Sequence, residues 1–267
     1  MRRQGIDTLW PDGSPIVGMV HLLPLPGAPG WEGSMDAVVD RALQDAIVLT
    51  ESGFDGLIVE NYADVPFFAE SVPPETVAAL TLVTGALMDE VGVPVGVNVL
   101  RNDARSALAI AAVVDAHFIR VNVHTGSMWT DQGILHGQAA ETIRARARLD
   151  ADVAILADVH VKHAVPPEGS TLAGSASDAW HRGLADGLVV SGRGTGGYTD
   201  PVDVEAVRLA VPEAPVLVGS GVTSATVRSF LGTSDGVIVG SAIMRGGRAG
   251  SGVDRSRARA FMDAARG

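Results

Sequence analysis

The 267-residue chain contains no cysteine, and only 4% of its residues are aromatic. The absence of cysteine excludes disulfides, thiolate metal sites and a cysteine nucleophile. No uninterrupted apolar segment approaches the about 18 residues of a transmembrane helix, and no run of signal-peptide length follows the first two arginines. The sequence therefore predicts a cytoplasmic protein without an integral membrane segment.

Positive charge is also scarce, because 20 lysines and arginines face 31 acidic residues and give a net charge of -11. A nucleic-acid partner is disfavoured, since binding a phosphate backbone requires a basic stripe. The chain also lacks a basic patch or amphipathic anchor for a membrane surface. A Walker lysine pattern, a G-x-S-x-G elbow and a kinase signature are all missing.

What recurs is an alternation of short Val/Ile runs with helical segments, in a chain that is 46% apolar. This alternation is typical of βαβ units, and the length fits an eight-stranded α/β barrel of roughly 250 residues. We predict one TIM-barrel domain over residues 1–267, with residues 1–14 as a lead-in and an open doubly wound sheet as the alternative. The predicted strands are 16–21, 56–60, 95–100, 117–123, 153–161, 187–191, 216–218 and 237–239. The predicted helices are 34–52, 75–91, 104–115, 138–150, 175–183, one beginning at Asp200 and Pro201, 223–231 and 254–265.

Two consecutive strands near the end of the chain break directly into small residues. Backbone amides at such glycine exits hold an anion without a charged side chain, and the last two strands of a barrel commonly form a phosphate site. The alternative is that the glycines serve only as turns for helix packing. The phosphate-binding residues predicted here are Gly219, Ser220, Gly221, Gly240 and Ser241.

The loop 191–200 contains Gly192, Gly194 and Gly197 in G-x-G-x-x-G order. The dinucleotide fingerprint opens its helix at once, whereas four residues intervene here, so a dinucleotide site is disfavoured. We predict that this glycine loop, with Arg193, adds to the phosphate site, and the alternative is a mobile turn. The additional phosphate-binding residues are Ser191, Gly192, Gly194, Thr195 and Gly196.

Polar residues end most of the predicted strands, where the chemistry of α/β barrels is located. Because strand residues alternate faces, Asp158, His160 and Lys162 are expected to point the same way. The alternatives are a solvated strand exit for these three and ordinary hydrogen-bonding roles for the others. The predicted catalytic residues are His21, Glu60, Asp158, His160 and Lys162. The predicted substrate-binding residues are Asn61, Asn98, Arg120 and Asn122.

Glu60 follows four apolar residues and is a candidate general acid or base, with an ion pair to Arg120 or Lys162 as the alternative. His21, Glu60, Asp158 and His160 are all acceptable ligands for a divalent metal. They lie on three strands without H-x-H or H-E-x-x-H spacing, so no metal or other cofactor is predicted, and a divalent metal remains an alternative.

Four groups of segments carry a resemblance to a known family: VGMVHLLPLPGAP at 17–29, LIVENYADVPF at 57–67, LADVHVKHA at 156–164, and the glycine exits VSGRGTGG and LVGSGVT. Together they resemble the BtpA/SgcQ family. The resemblance implies a TIM barrel and, for members in photosynthetic bacteria, a role in photosystem I biogenesis at the membrane surface. The candidates His21, Glu60, Asn61, Asp158, His160 and Lys162 fall inside these segments.

Three functions are compatible with this sequence. The first is an enzyme that acts on a small phosphorylated, sugar- or nucleotide-like ligand by lyase, isomerase or transferase chemistry, with Glu60 or Asp158 as base and Lys162 stabilising negative charge. The second is a non-catalytic biogenesis factor for a photosystem or membrane complex, with peripheral membrane association. The third is a metal-dependent hydrolase. A homo-oligomer is left open.

Overall fold

A computed structural model of the chain describes residues 5–192, 194 and 197–267. Eight parallel strands close into a barrel with helices between them, which confirms the predicted TIM-barrel fold. The barrel strands are β1 Ile16–His21, β2 Gly56–Glu60, β3 Val95–Asn98, β4 Phe118–Val121, β7 Ala154–Val159, β9 Gly187–Val190, β10 Val216–Val218 and β11 Gly236–Val239. A separate three-stranded sheet consists of β5 Ser127–Thr130, β6 Gly133–His136 and β8 Ala164–Val165.

Helices follow the barrel strands around the outside, and one short helix precedes β1. The helices are α1 Ile6–Leu9, α2 Met35–Glu51, α3 Pro74–Glu90, α4 Ala104–Val113, α5 Ala139–Arg148, α6 Leu172–Ser177, α7 Pro201–Ala210, α8 Val227–Leu231 and α9 Arg255–Arg266. The predicted start of α7 is confirmed, because the Asp200 carboxylate accepts a hydrogen bond from the Val202 amide at 2.9 Å. In the residues described, no helix is both long and apolar enough to span a membrane.

The alternation of side chains along each strand separates two cores. Outward residues such as Val20, Val59 and Val97 pack under the helices in the larger apolar cluster. Inward residues such as Val17, Ile58 and Leu156 fill the barrel, and Ile6 and Trp10 pack with them from the lead-in. The barrel interior is therefore apolar in its lower layers, and its polar residues are confined to the carboxyl ends of the strands.

Gly96 makes room for the aromatic ring of Phe118 inside the barrel. A Cβ atom at this position would lie only 2.2 Å from the ring of Phe118 on the neighbouring strand. The ring of Trp10 meets Phe118 edge-on, with centroids 5.4 Å apart. The Phe118 ring thus occupies space that a side chain on Gly96 would fill.

Two predicted helices differ from the structure in their type or bounds. The predicted helix 175–183 is α6 followed by a five-residue π-helical turn, Asp178–Arg182. The predicted helix 223–231 begins only at Val227, because the Thr223 amide donates to the Thr226 hydroxyl and a turn forms instead. The connection 124–137, between β4 and α5, contains the antiparallel hairpin of β5 and β6, which packs on a small apolar cluster of its own.

Candidate functional site

Three of the predicted catalytic and substrate-binding residues form one row at the carboxyl end of the barrel. His21 pairs in register with Glu60, and Glu60 with Asn98, across β1, β2 and β3. All three occupy inward positions, because they follow Met19, Ile58 and Gly96 at a spacing of two residues. Each is buried. The parallel barrel therefore brings these side chains to a common mouth.

Arg120 and Asp158 form a buried bidentate ion pair next to this row. Arg120 donates from Nε and Nη2 to the two carboxylate oxygens of Asp158 at 2.9 and 3.0 Å. Asn122 donates to the same carboxylate at 3.0 Å, and Asn98 donates to Asn122 Oδ1 at 3.1 Å. Because its oxygens already accept three hydrogen bonds, Asp158 serves here as the centre of a polar network.

Asn61 lies outside this network. Its side-chain oxygen accepts from the Leu100 amide at 2.8 Å, and its nitrogen donates to Asp64 at 3.1 Å. These contacts connect the loop after β2 to the loop after β3. The predicted substrate-binding residue Asn61 therefore shapes the mouth by holding two loops together.

His21 is held in one tautomer. The Gly250 amide donates to Nδ1 of His21 at 3.0 Å, and Tyr62 stacks on the imidazole with ring centroids 4.3 Å apart. Burial lowers the pKa of His21 to about 3, with Lys162 and Arg120 adding to the shift. The ring is therefore neutral, and Nε2 carries the proton that faces Oε1 of Glu60 at 3.5 Å.

Glu60 and Lys162 line the same cavity of about 830 Å³ above the row. Burial raises the pKa of Glu60, while the charges of Lys162, Arg120 and Arg101 oppose that rise. Burial also lowers the pKa of Lys162, and the charge of Glu60 opposes that change. The charges of the two groups interact, and burial disfavours the charged form of each. Such shifts are expected of acid/base catalysts.

The expectation that His160 shares a face with Asp158 and Lys162 was wrong. β7 ends at Val159, and His160 has a positive φ of 55°, so the alternation of the strand stops there. Its Nε2 lies 3.0 Å from the hydroxyl of Ser175 on α6. The turn separates His160 from the mouth, and Lys162 reaches the cavity from the following loop.

The glycine exits flank the polar network on the same rim. A Cβ atom on Gly219 would lie 2.7 Å from Ser191 Oγ and 3.3 Å from Arg120 Nη2. A Cβ atom on Gly240 would lie 3.7 Å from the His21 ring. Ser241 begins a short 3-10 turn directly after the second exit.

The glycine loop after β9 packs on the first exit. A Cβ atom on Gly192 or Gly221 would lie 2.4 or 2.3 Å from backbone oxygens of Tyr198 and Gly197, respectively. The Thr199 hydroxyl donates to the Ser220 carbonyl at 2.8 Å. Close backbone packing thus explains these glycines in part. The predicted phosphate-binding residues Thr195 and Gly196 lie outside the described residues, as does Arg193.

No group of three or more His, Asp or Glu side chains in the described part of the chain is arranged to hold a metal ion. Of the four candidate ligands, His21 and Glu60 adjoin each other at 3.5 Å, whereas Asp158 is paired with Arg120 and His160 lies against Ser175.

Sequence reasoning missed several residues of the site. Arg101 lines the cavity with Asp131 from the β5–β6 turn, and Tyr62 and Gly250 hold His21. The sequence held one indication that Tyr62 belongs to the site, because Tyr62 lies inside the family-like segment 57–67, two residues after Glu60. Arg101 and Gly250 follow strands or turns by several residues, and no sequence periodicity places them at the mouth.

The chain is similar over most of its length to proteins from distant organisms. A protein of Synechocystis sp. named photosystem I biogenesis protein BtpA is 47% identical over 251 residues, covering 94% of this chain and 88% of the relative. An uncharacterized protein of Thermococcus kodakarensis is 46% identical over 254 residues, covering 94% of this chain and 95% of the relative.

Among solved structures, phosphoribosyl anthranilate isomerase from Thermus thermophilus has a TM-score of 0.57 at 11% identity, with 94% of this chain and 97% of that chain covered. At this identity the likeness concerns the barrel fold alone. Residues 12–267 match the model of the BtpA family. With this match and relatives above 40% identity, the chain belongs to the BtpA family.

Proposed function

We propose that the protein is an enzyme that acts on a small phosphorylated substrate at the carboxyl end of the barrel by acid/base chemistry. The observation that carries the proposal is the convergence of buried Glu60, neutral His21 and Lys162 beside two glycine exits on one rim. Ionisable groups are costly to bury unless they are paired or used, and perturbed groups in a cleft are typical of catalytic sites.

The glycine exits supply the phosphate end of this site. Among the hydrogen bonds of the described residues, none is donated by the backbone amides of Ser220, Gly221 or Gly240. Such amides are suitable donors for a phosphate group, as in the common site after the last two barrel strands. Gly219 and Gly240 place this end next to Arg120 and His21, within reach of the catalytic row.

The reacting end lies at Glu60 and Lys162. A carboxyl group with a raised pKa suits proton transfer near neutral pH, and the Lys162 ammonium faces negative charge that develops on the substrate. Glu60 removes a proton from a substrate carbon and returns it to a neighbouring atom, and His21 orients the carboxyl group through Nε2. This sequence suits a lyase or an isomerase and requires no cofactor.

Two buried acceptors add support for a polar ligand. In the described residues, Asn98 Oδ1 and Ser220 Oγ are buried without a hydrogen-bond partner. Buried polar atoms are normally satisfied by protein, water or ligand. A substrate hydroxyl can donate to Asn98 Oδ1, because the amide nitrogen of Asn98 is already committed to Arg120 O and Asn122.

An isosteric pair of variants tests the phosphate end. Thermal stabilisation by ribose 5-phosphate, glucose 6-phosphate and inorganic phosphate is measured for the wild type, Ser241→Glu and Ser241→Gln. We expect the glutamate to abolish stabilisation through charge repulsion, and the glutamine to retain it, because the two side chains have the same size. Equal responses of both variants, or no response of the wild type to any of these phosphates, would contradict the proposal.

Catalysis is tested by proton exchange. Phosphorylated compounds that stabilise the protein are incubated with it in deuterium oxide, and NMR detects deuterium at carbon. We expect exchange with the wild type and at least about a hundredfold less with Glu60→Gln, consistent with loss of a general base. Exchange at the same rate in both proteins would rule out Glu60 as the base.

A second candidate function is photosystem I biogenesis, which the name of the Synechocystis relative and its 47% identity favour. The test is expression of this chain in a Synechocystis strain that lacks the relative. Restored photosystem I by both the wild type and Glu60→Gln would support a non-catalytic factor. Restoration by the wild type alone would join the two functions, and no restoration would count against this candidate.

A further inference from the structure

Arg101 is a buried cation on which the described carboxylates of Asp158, Glu60 and Asp131 act only from beyond ion-pair distance. Its side chain lines the 830 Å³ cavity, and the residue is only 4% exposed. Nη2 donates to the carbonyl of Lys162 at 2.6 Å, and the Arg101 amide donates to Phe68 O at 3.0 Å, so two loops fix its position. In the part of the chain that the structure describes, Arg101 has no carboxylate in ion-pair contact.

Lys162 lies in the same cavity lining and is likewise without an ion pair within the described ranges. Arg101 and Lys162 are close enough for the charge of Arg101 to add to the lowering of the Lys162 pKa. Buried charges in proteins are normally paired, and the carboxylates of Glu60 and Asp131 in this cavity act on the two cations only from beyond ion-pair distance. The pair therefore indicates an anionic ligand group.

The rest of the cavity shows which anion fits. Its wall is largely apolar, formed by Tyr62, Ala63, Val65, Phe67 and Leu100. Its other charged groups, Glu60 and Asp131, are carboxylates that repel a dianion. Against the two cations, these carboxylates leave the cavity without the excess of positive charge that a dianion would require. A monoanion on a hydrocarbon body fits this balance better than a strongly hydrated phosphate dianion.

We propose that this cavity binds a carboxylate attached to an apolar body, with Arg101 and Lys162 facing the carboxylate. The side chains of Tyr62, Val65 and Phe67 pack on the hydrocarbon. The guanidinium of Arg101 presents a planar set of donors that matches a carboxylate. This inference rests on the proposed function and assigns the substrate a second anionic group, distinct from the phosphate at the glycine exits. The cavity volume lies within the roughly 300–1,000 Å³ of small-molecule sites.

The test uses benzoate as the carboxylate probe, benzamide as its neutral isostere, acetate as a carboxylate without the body, and inorganic phosphate. Binding to the full chain is measured by calorimetry and thermal shift at neutral pH. We expect benzoate to bind more tightly than acetate, and benzamide not to bind. Equal binding of benzoate and benzamide, or no binding of benzoate at millimolar concentration, would overturn the proposal.

Variants assign the binding to the cation pair. Arg101→Met is expected to weaken benzoate binding by about 10- to 100-fold, the loss of a hydrogen bond to a charged group. Asp131→Asn, at an exposed turn, is expected to strengthen binding about two- to threefold by removing a repelling charge. Arg208→Met, which removes an arginine paired with Asp235 away from the mouth, is the matched control and leaves binding unchanged.

Asp131→Asn is expected to strengthen benzoate binding, whereas Arg101→Met is expected to weaken it. The test therefore remains decisive even if Arg101→Met does not fold. Unchanged benzoate affinity in Asp131→Asn would then overturn the proposal. The two proposals also fail separately. Arg101-dependent benzoate binding without any phosphate response in the Ser241 experiment would leave the carboxylate site and refute the phosphate site. A phosphate response together with benzoate binding that does not depend on Arg101 would support the phosphate site and refute the carboxylate site.

Discussion

Nε2 of His21 lies 3.5 Å from Oε1 of Glu60, and both residues are buried at the mouth of the barrel. The Gly250 amide occupies the other ring nitrogen, so the proton of the neutral imidazole points at the carboxyl group. With the pKa of His21 at about 3, this contact places a neutral imidazole beside Glu60 and is not an ion pair. Burial of the two residues affects stability in opposite pH ranges. Burial of His21 costs stability as the pH falls, and burial of Glu60 costs stability as the pH rises.

Replacing His21 with glutamine should flatten the acid dependence of stability. The pKa of His21 falls from 6.5 in the unfolded chain to about 3 in the folded one. The unfolded state alone therefore binds this proton as pH falls below 6.5, and the native state loses up to about 1.4 kcal/mol per pH unit until the pH approaches the folded pKa. Urea unfolding at pH 7 and pH 5 measures the difference, and parallel losses in His21→Gln and the wild type would contradict it.

Replacing Glu60 with glutamine should stabilise the protein at neutral and alkaline pH. Burial raises the folded pKa of Glu60 above 4.5, so stability is lost as pH rises from 4.5 to the folded pKa. The glutamine does not ionise and avoids this loss. We expect the free energy of unfolding of Glu60→Gln to exceed that of the wild type at pH 7 and to approach it at pH 4.5. A variant less stable at pH 7 than at pH 4.5, relative to the wild type, would refute this assignment.

Breaking the pair of Arg120 and Asp158 should destabilise the barrel strongly. Asp158→Leu leaves the Arg120 guanidinium buried without its ion-pair partner, and such losses cost about 3–5 kcal/mol. The double variant Arg120→Met with Asp158→Leu should lose less than the sum of the single changes, because neither charge is left alone. Urea unfolding of the four proteins measures the coupling. Additive losses would mean that the pair does not act as a unit.

Adding a methyl group to Gly96 should overpack the barrel interior. The new Cβ of Gly96→Ala would meet the Phe118 ring at 2.2 Å, and overpacking of this kind costs about 1–3 kcal/mol. Gly92→Ala is the matched control, because a Cβ there has no neighbour within 4 Å. The free energies of unfolding of both variants measure the effect, and equal values would contradict the packing of Phe118 on Gly96.

Much of the mouth could be predicted because strand alternation and parallel topology are encoded locally. Glu60 and Asn98 follow apolar runs at inward spacing, so their convergence with His21 needed only the barrel to close. The prediction failed where the strand ended early. His160 takes a positive φ and leaves the alternation, a local backbone choice that the preceding Val159 does not reveal.

The sequence also did not show which ionisable side chains pair with each other. Glu60, Asp158 and Lys162 look equivalent as ionisable residues at strand ends. Only the folded chain shows that Arg120 and Asn122 saturate Asp158 while Glu60 and Lys162 face the cavity. Side chains from different strands meet through register, which the apolar pattern of a single strand does not specify.

The sequence by itself determined the eight strands, the end of the barrel that holds the polar residues and the family, because each follows from short-range pattern or local motif. The tertiary structure decided that Arg101 and Gly250 belong to the mouth, that His21 is neutral and that Asp158 is paired. These properties depend on burial and on contacts between residues far apart in the chain, and neither is fixed until the barrel closes.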